Sequence, residues 1–499
     1  MKIKKLIGNF NNSGKSLSQR VVRGGFWVFL LRITQQLFNF VRLVILARIL
    51  SPNDFGLMGI ALLTMATLDT FSQTGFQQAL IQKKEDIKPY LDSAWTVLVL
   101  RGFILFAILF SIAPYVASFF NATEAKLIIQ VIGLAILFQA FTNIGVVYFQ
   151  KELEFNKQFI YQISGTLADF AVAISAALIL RSVWALVFGL LAGNAVRCFV
   201  SYLIHPYRPH LSFDFGKAKE LFGFGKWILG TSIITFLFNQ GDDAFLGKVL
   251  GVTVLGFYQM AYRIGQLPVT EFAKVISQVT LPAYSKLQDD RTKLKEGFFK
   301  TLNITSFIMI PLAGGISILA PEFTKIFLGE KWMPIIPALR ILVIAGTIRA
   351  LINIGGILYQ GIGKPYINLK VSLIRLFTMA ITIYPLTVFF GMPGVALAVV
   401  LGNFGCVPIW LMETAKITQA PFKDYFRELF PPVIGTVSMC FVLFFLKSTI
   451  ESNILNFVFL PILAVAVYLI SMFTLGRLSK IKIFKNVRFL IQSLGVNQK

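Results

Sequence analysis

Five polar side chains share one face of the first long apolar stretch. At about 100° per residue, Arg32, Gln35, Gln36, Asn39 and Arg42 fall within an arc of roughly 120°, and the rest of the circumference is apolar. A guanidinium presents a planar fork of donors that matches a phosphate or diphosphate bidentately, so the chemistry of this face is anion recognition, with no nucleophile or acid–base pair for bond making. The face returns later in the chain with the opposite charge, as Ser232, Thr235, Asn239, Asp242 and Asp243. Asp69, Arg101, Asp169, Arg197, Arg263, Glu271, Lys274, Arg340, Arg349 and Arg375 also interrupt apolar stretches, and Gln259, Arg263, Gln266, Thr270 and Lys274 form a second basic stripe. A charged side chain at the centre of a membrane helix costs about 2.5–3.5 kcal/mol, so each of these needs a partner or a cavity. Together the arginines describe an aqueous cationic cavity between two halves of the chain, suited to an anionic substrate.

The elements that position these residues are membrane helices. Of 499 residues, 56% are hydrophobic and 14% charged, and the mean hydropathy is +0.73, which excludes an ordinary soluble domain. About fourteen apolar runs are long enough to span the hydrocarbon as helices. The net charge of +24 is not gathered on a soluble face or interleaved with stacking aromatics, so nucleic acid is not expected as a partner. The basic residues instead concentrate in alternate loops, which predicts cytoplasmic N- and C-termini.

The chain repeats itself. Gly25–Ala61 aligns without a gap to Gly225–Ala261, with Trp27 on Trp227, Leu37-Phe38-Asn39 on Leu237-Phe238-Asn239 and Gly56 on Gly256, an offset of 200. Asn143-Ile144-Gly145 recurs as Asn353-Ile354-Gly355, Ala113-Pro114 as Ala320-Pro321, and Gly193-Asn194 as Gly402-Asn403. The expected organisation is a lobe over 1–204, a linker over 205–217, a second lobe over 218–415, and two further spans with a basic tail over 416–499. Six spans per lobe make the repeats parallel. Between the first two spans, Ser51, Pro52 and Asp54 predict a capping box with proline at the first helical position. The second span is expected over 55–79, and the fourth over 127–149.

Other motifs carry little chemistry. In Gly8–Ser16, five residues separate the glycines where a phosphate loop needs four, so no nucleotide-driven step is expected. Cys198, Cys406 and Cys440 lack pair spacing, and His205 and His210 flank a Pro-Tyr-Arg-Pro turn, which predicts packing and loop residues without metal or cofactor. The N-terminus shows no cleavable signal pattern. Arg42 and Asp242 occupy equivalent repeat positions, which predicts either a gate pair across the pseudo-twofold axis or, with Asp243, an acidic site for a proton or sodium ion.

Gly24-Gly25-Phe26-Trp27, the loop Ala47-Arg48-Ile49-Leu50-Ser51-Pro52-Asn53-Asp54-Phe55-Gly56, and Gly75-Phe76-Gln77-Gln78-Ala79-Leu80-Ile81-Gln82-Lys83-Lys84 make the chain resemble the polysaccharide transporters of the multidrug/oligosaccharidyl-lipid/polysaccharide exporter superfamily. The resemblance implies an all-α integral membrane fold, with two six-helix lobes in a V plus two C-terminal helices. It implies alternating-access export of a polyprenyl-diphosphate-linked glycan across a bacterial cytoplasmic membrane, alongside polysaccharide assembly machinery. Relatives often carry an acid before the glycine of the second span's closing motif; Ser72-Gln73-Thr74-Gly75 has none, leaving Asp69 as its substitute. A cation-coupled multidrug antiporter of the same superfamily is the alternative, but Arg32 and Arg42 give the wrong sign of charge for it. A major-facilitator sugar transporter would need a Gly-rich, Asp-Arg-containing loop at Lys83–Asp92, and a membrane glycan polymerase would need a large external loop.

Overall fold

The computed structural model describes residues 17–73, 75–83, 85–449 and 454–479, and among these it contains helices and no strands. The chain divides into two compact units, one up to Ile233 and one from Ile234 onward.

The first unit opens with α1 (Leu17–Ile49) and α2 (Pro52–Phe71). Their junction is the expected capping box: the Ser51 hydroxyl accepts from the Asp54 N–H, and the Asp54 carboxylate accepts from the Ser51 N–H at 2.8 Å, with Pro52 at the first helical position. The second span ends at Phe71, well short of residue 79, because Ser72 caps α2 and Gly75 turns the chain in the left-handed region at φ 67° into the short α3 (Phe76–Gln82). Next come α4 (Lys88–Phe119) and α5 (Ala125–Ala140).

The expected straight fourth span is broken. A 3₁₀ turn over Ile144–Val146 and α6 (Val147–Lys151) follow α5 at an angle of 68°. Asn143 makes the break: its side chain accepts from the Gly145 N–H at 2.9 Å, its own N–H donates to Ser201 Oγ at 3.0 Å, and its amide donates to the Tyr207 carbonyl at 2.6 Å. With its backbone and side chain used in this way, the residue has left the helical hydrogen-bond ladder. α7 (Phe155–Leu180) and α8 (Trp184–Ile204) follow.

The second unit begins within α9 (Phe215–Leu250) and continues with α10 (Val252–Leu287), α11 (Arg291–Phe323), α12 (Ile336–Gly361), α13 (Tyr366–Phe390), α14 (Met392–Gly405) and α15 (Val407–Thr418). The last two helices among the described residues are α16 (Phe422–Thr449) and α17 (Ile454–Ser479). These two pack on α11 through Leu319, Met439, Leu443, Leu460 and Tyr468, with the Tyr468 hydroxyl on the Phe307 carbonyl and a Lys447–Glu322 ion pair at 2.9 Å. Their outer faces expose Phe441, Phe444, Ile462 and Ile470, as expected of side chains that face lipid.

Ten helices among the described residues have the length and apolarity to cross a membrane, or eleven when the bent α5–α6 pair counts as one span. The polar-striped α9 and α10 are not among them. The fold is an all-α, multi-pass membrane protein.

The repeat is visible in the packing. A Cβ at Gly193 of α8 would meet the Gly165 carbonyl and Asp169 of α7; a Cβ at Gly402 of α14 would meet the Arg375 carbonyl and Met379 of α13. Each repeat therefore closes the same helix pair on a glycine, and each anchors the following asparagine on the helix that begins with its own fourth span. Asn194 accepts from Gln139 of α5 at 3.2 Å, and Asn403 donates to the Ala345 carbonyl of α12 at 3.1 Å.

Candidate functional site

Two sets of polar residues stand out, one in each unit. In the first, the α1 stripe packs in part against α7. Gln35 donates to Thr166 Oγ1 at 3.5 Å, and Arg42 pairs with Asp169 at 2.9 Å, with both side chains less than a fifth exposed. Trp27 meets Phe159 and Phe38 meets Phe170 along the same seam. Arg32, Gln36 and Asn39 are half-buried on the adjoining face. The expected single polar face is thus divided, and Arg42 and Gln35 are committed to holding α1 on α7.

Arg101 and Asp69 are brought together. The Arg101 guanidinium donates to the Asp69 carboxylate and, at 2.8 Å, to the Ser72 carbonyl, satisfying carbonyls that the end of α2 would leave without donors. A cavity of about 450 Å³ opens beside this pair, lined by residues of α2 to α8 including Gln77, Gln139, Tyr161 and Arg197.

In the second unit, Asp242 is buried and accepts from the Tyr258 hydroxyl at 2.6 Å, while the adjacent Asp243 accepts from Gln259 at 3.1 Å. Both donors are neutral and both lie on α10. Two arginines complete the cluster: Arg349 donates to Tyr262 and Asn239 at 3.2 and 3.1 Å, and Arg375 stacks over the Phe238 ring at 3.0 Å. Arg42 and Asp242, expected as a gate pair, thus have these partners inside their own units.

Repeat geometry explains the difference between them. The Gly193/Gly402 contacts place Met379 where Asp169 stands in the first unit. Arg42 finds a carboxylate on its neighbouring helix; the equivalent place in the second unit holds Met379, which offers no charge, and Asp242 takes its hydrogen bond from Tyr258.

The α10 stripe does not face one way. Gln259 is used on Asp243, Gln266 is buried with its amide on the Leu342 carbonyl, and Arg263 is exposed. The Lys274 side chain lies outside the described residues. Tyr258, Tyr262 and the Arg42–Asp169 pairing were missed from sequence. The need of each intramembrane charge for a partner of opposite sign could have flagged Asp169, but no spacing rule links positions 42 and 169.

His205 and His210 lie in the non-helical segment after α8, as expected of loop residues, and that segment is tied down. Asp92 at the start of α4 accepts from the Tyr207 hydroxyl and the His210 N–H at 2.5 and 2.8 Å. Ser212 and Asp214 donate their N–H groups to Thr96 and Ser93, and the His205 ring stacks on Tyr148 at 5.5 Å.

A helical membrane fold of repeat-related units, with charged side chains held among its helices, is a plan that transporters share. Residues 45–337 match the polysaccharide biosynthesis protein family, and the chain belongs to that family. It is similar to the lipopolysaccharide biosynthesis protein WzxC of Escherichia coli, 28% identical over 425 residues covering 84% of this chain and 85% of the relative. It is also similar to the succinoglycan biosynthesis transport protein ExoT of Rhizobium meliloti, 23% identical with 88% of this chain and 89% of the relative covered. The fold matches the solved structure of the lipid II flippase MurJ in an inward closed conformation, with a TM-score of 0.74 and 16% identity over 91% of this chain and 99% of that one.

Proposed function

We propose that the protein is a flippase that moves a polyprenyl-diphosphate-linked oligosaccharide across a bacterial cytoplasmic membrane by alternating access of its two repeats. The observation that carries this reading is the opposed chemistry of the two equivalent helices, Arg32 and Arg42 on α1 against Asp242 and Asp243 on α9, in a chain of this family. Arg32, with Gln36 and Asn39 beside it, receives the diphosphate; Arg42, Gln35, Arg101 and Arg263 hold the surrounding helices and the positive potential. Both termini lie in the cytoplasm, where polysaccharide assembly machinery delivers the substrate.

A proton is the coupling ion in this reading. Asp242 and Asp243 sit side by side with neutral donors, Tyr258 and Gln259, so binding one proton relieves the repulsion between two like charges in a poorly solvated place. Releasing that proton to the other side of the membrane would drive the change of access.

The test is complementation of an export-deficient strain. Arg32→Ala is expected to abolish surface glycan at normal protein level, and Arg32→Lys to retain part of it, because lysine keeps the charge and loses the fork. Full export by the alanine variant would refute the diphosphate assignment. Export that survives collapse of the proton gradient and stops on removal of sodium would replace the proton with sodium.

A further inference from the structure

The cavity inside the first unit holds a guanidinium, Arg197, to which the export reading gives no role. Its titratable lining is Asp69, Arg101, Arg197 and Tyr161. Asp69 and Arg101 neutralise one another as an ion pair. Arg197 has no such partner: its Nε donates to the Gly193 carbonyl of its own helix at 3.2 Å, and its two terminal nitrogens form no hydrogen bond or ion pair among the described residues. The cavity therefore carries one net positive charge, on a guanidinium whose outer edge is unspent.

Packing holds that guanidinium in place. A Cβ at Gly165 of α7 would overlap the Arg197 side chain, so the missing side chain is what lets Arg197 pass between α7 and α8. Around it stand the amides of Gln77 and Gln139, with Gln139 already fixed by its bond to Asn194, and the Tyr161 ring. The break after α5 puts irregular backbone at the same place, which in a membrane protein is tolerated where it lines a cavity. The second repeat does not reproduce the arrangement: at its offsets of 209 and 210, Arg197 aligns with Cys406 and Gly165 with Arg375.

We infer that this cavity binds a phosphate-bearing ligand within the first unit. Two phosphate oxygens meet the terminal nitrogens of Arg197 in the bidentate geometry that guanidinium favours, and the amides take hydroxyls of the attached group. At about 450 Å³ the space lies in the range of ordinary small-ligand pockets and admits a phosphate with one sugar or glycerol unit. The chemistry is shared by a lipid-linked diphosphate and by the headgroup of an anionic phospholipid. The inference does not depend on the export reading.

The experiment follows alkylation of the thiol introduced by Gln77→Cys on the exposed rim, read by peptide mass spectrometry on full-length protein in nanodiscs. In phosphatidylcholine discs, inorganic diphosphate is expected to slow the reaction; in phosphatidylglycerol discs, the lipid alone is expected to slow it if the headgroup is the ligand. Slowing by either supports the site and names its source, and slowing by neither overturns it. Arg197→Gln should weaken the protecting ligand about tenfold or more, the loss of a charge-assisted contact, and Arg197→Lys should weaken it less. Protection unchanged in Arg197→Gln would overturn the inference. Arg32→Ala should leave the protection intact while stopping export, so failure here is separable from failure of the export reading.

Discussion

At the scale of single residues, the informative contrast is Arg42 with Asp242. They stand at the same repeat position, yet one is paired with a carboxylate on the next helix and the other takes a tyrosine hydroxyl. Removing one member of a mostly buried pair strands the other, at a cost of about 3 kcal/mol or more, whereas exchanging the two charges preserves it. Arg42→Asp and Asp169→Arg are each expected to reduce protein level and thermal stability in detergent, and the double exchange to restore both. A double variant no more stable than the singles would show that the pair does not hold α1 to α7. Asp242→Asn keeps the hydrogen bond from Tyr258 and removes the charge. It is expected to leave folding intact and export at a small fraction of the original, with pH dependence flattened; an unaltered pH profile would remove Asp242 from the coupling step.

At the scale of elements, the segment after α8 behaves as a strap on α4, because Asp92 binds it twice and Ser93 and Thr96 continue the seam. His205 supplies the pH dependence. Its Nδ1 accepts from the Tyr207 N–H at 3.2 Å, and partial burial, with Lys157 adding to it, lowers its pKa below the ordinary histidine value. The folded strap therefore favours neutral imidazole. Its contribution is present above the unfolded pKa of about 6.5 and is lost as pH falls through the lower folded value. Amide exchange over residues 205–214, normalised to intrinsic rates, is expected to accelerate below about pH 6 and to lose that dependence in His205→Gln. Exchange that stays constant from pH 8 to 5 in the unaltered protein would exclude the strap as a titrating element. Asp92→Ala should release the same segment at every pH.

The break after α5 shows where sequence stops being legible. The capping box at Ser51 was readable because its partners lie three residues apart. The kink at Asn143 was not, because its partners are Ser201 and Tyr207, about sixty positions away. The matching Asn353-Ile354-Gly355 lies inside the continuous α12. What the two copies share is a glycine that admits a ring: a Cβ at Gly145 would overlap His205, and one at Gly355 would overlap Trp410. Gly355→Ala is accordingly expected to destabilise the second unit by about 1–3 kcal/mol, the usual cost of overpacking, measured as a fall in melting temperature. An unchanged melting temperature would mean that Trp410 moves aside freely.

At the scale of the whole molecule, the charge bias of the loops makes a topology that can be checked. Cysteines introduced at Asn53, Asn121 and Lys331 are expected to react with an impermeant reagent from outside the cell, and those at Glu85 and Asp290 to react only after permeabilisation. Labelling at Glu85 in intact cells would invert the orientation. Sequence by itself determined the membrane class, the duplication, the capped first turn and the presence of opposed charges on equivalent helices, since each depends on composition or on spacing along the chain. The tertiary structure alone decided which charges are spent on one another, where the fourth span breaks, and that Arg197 faces a cavity. Those outcomes depend on which side chain stands across a helix–helix seam, Asp169 at one copy and Met379 at the other. Helix periodicity says which way a residue points and carries no information about what it meets.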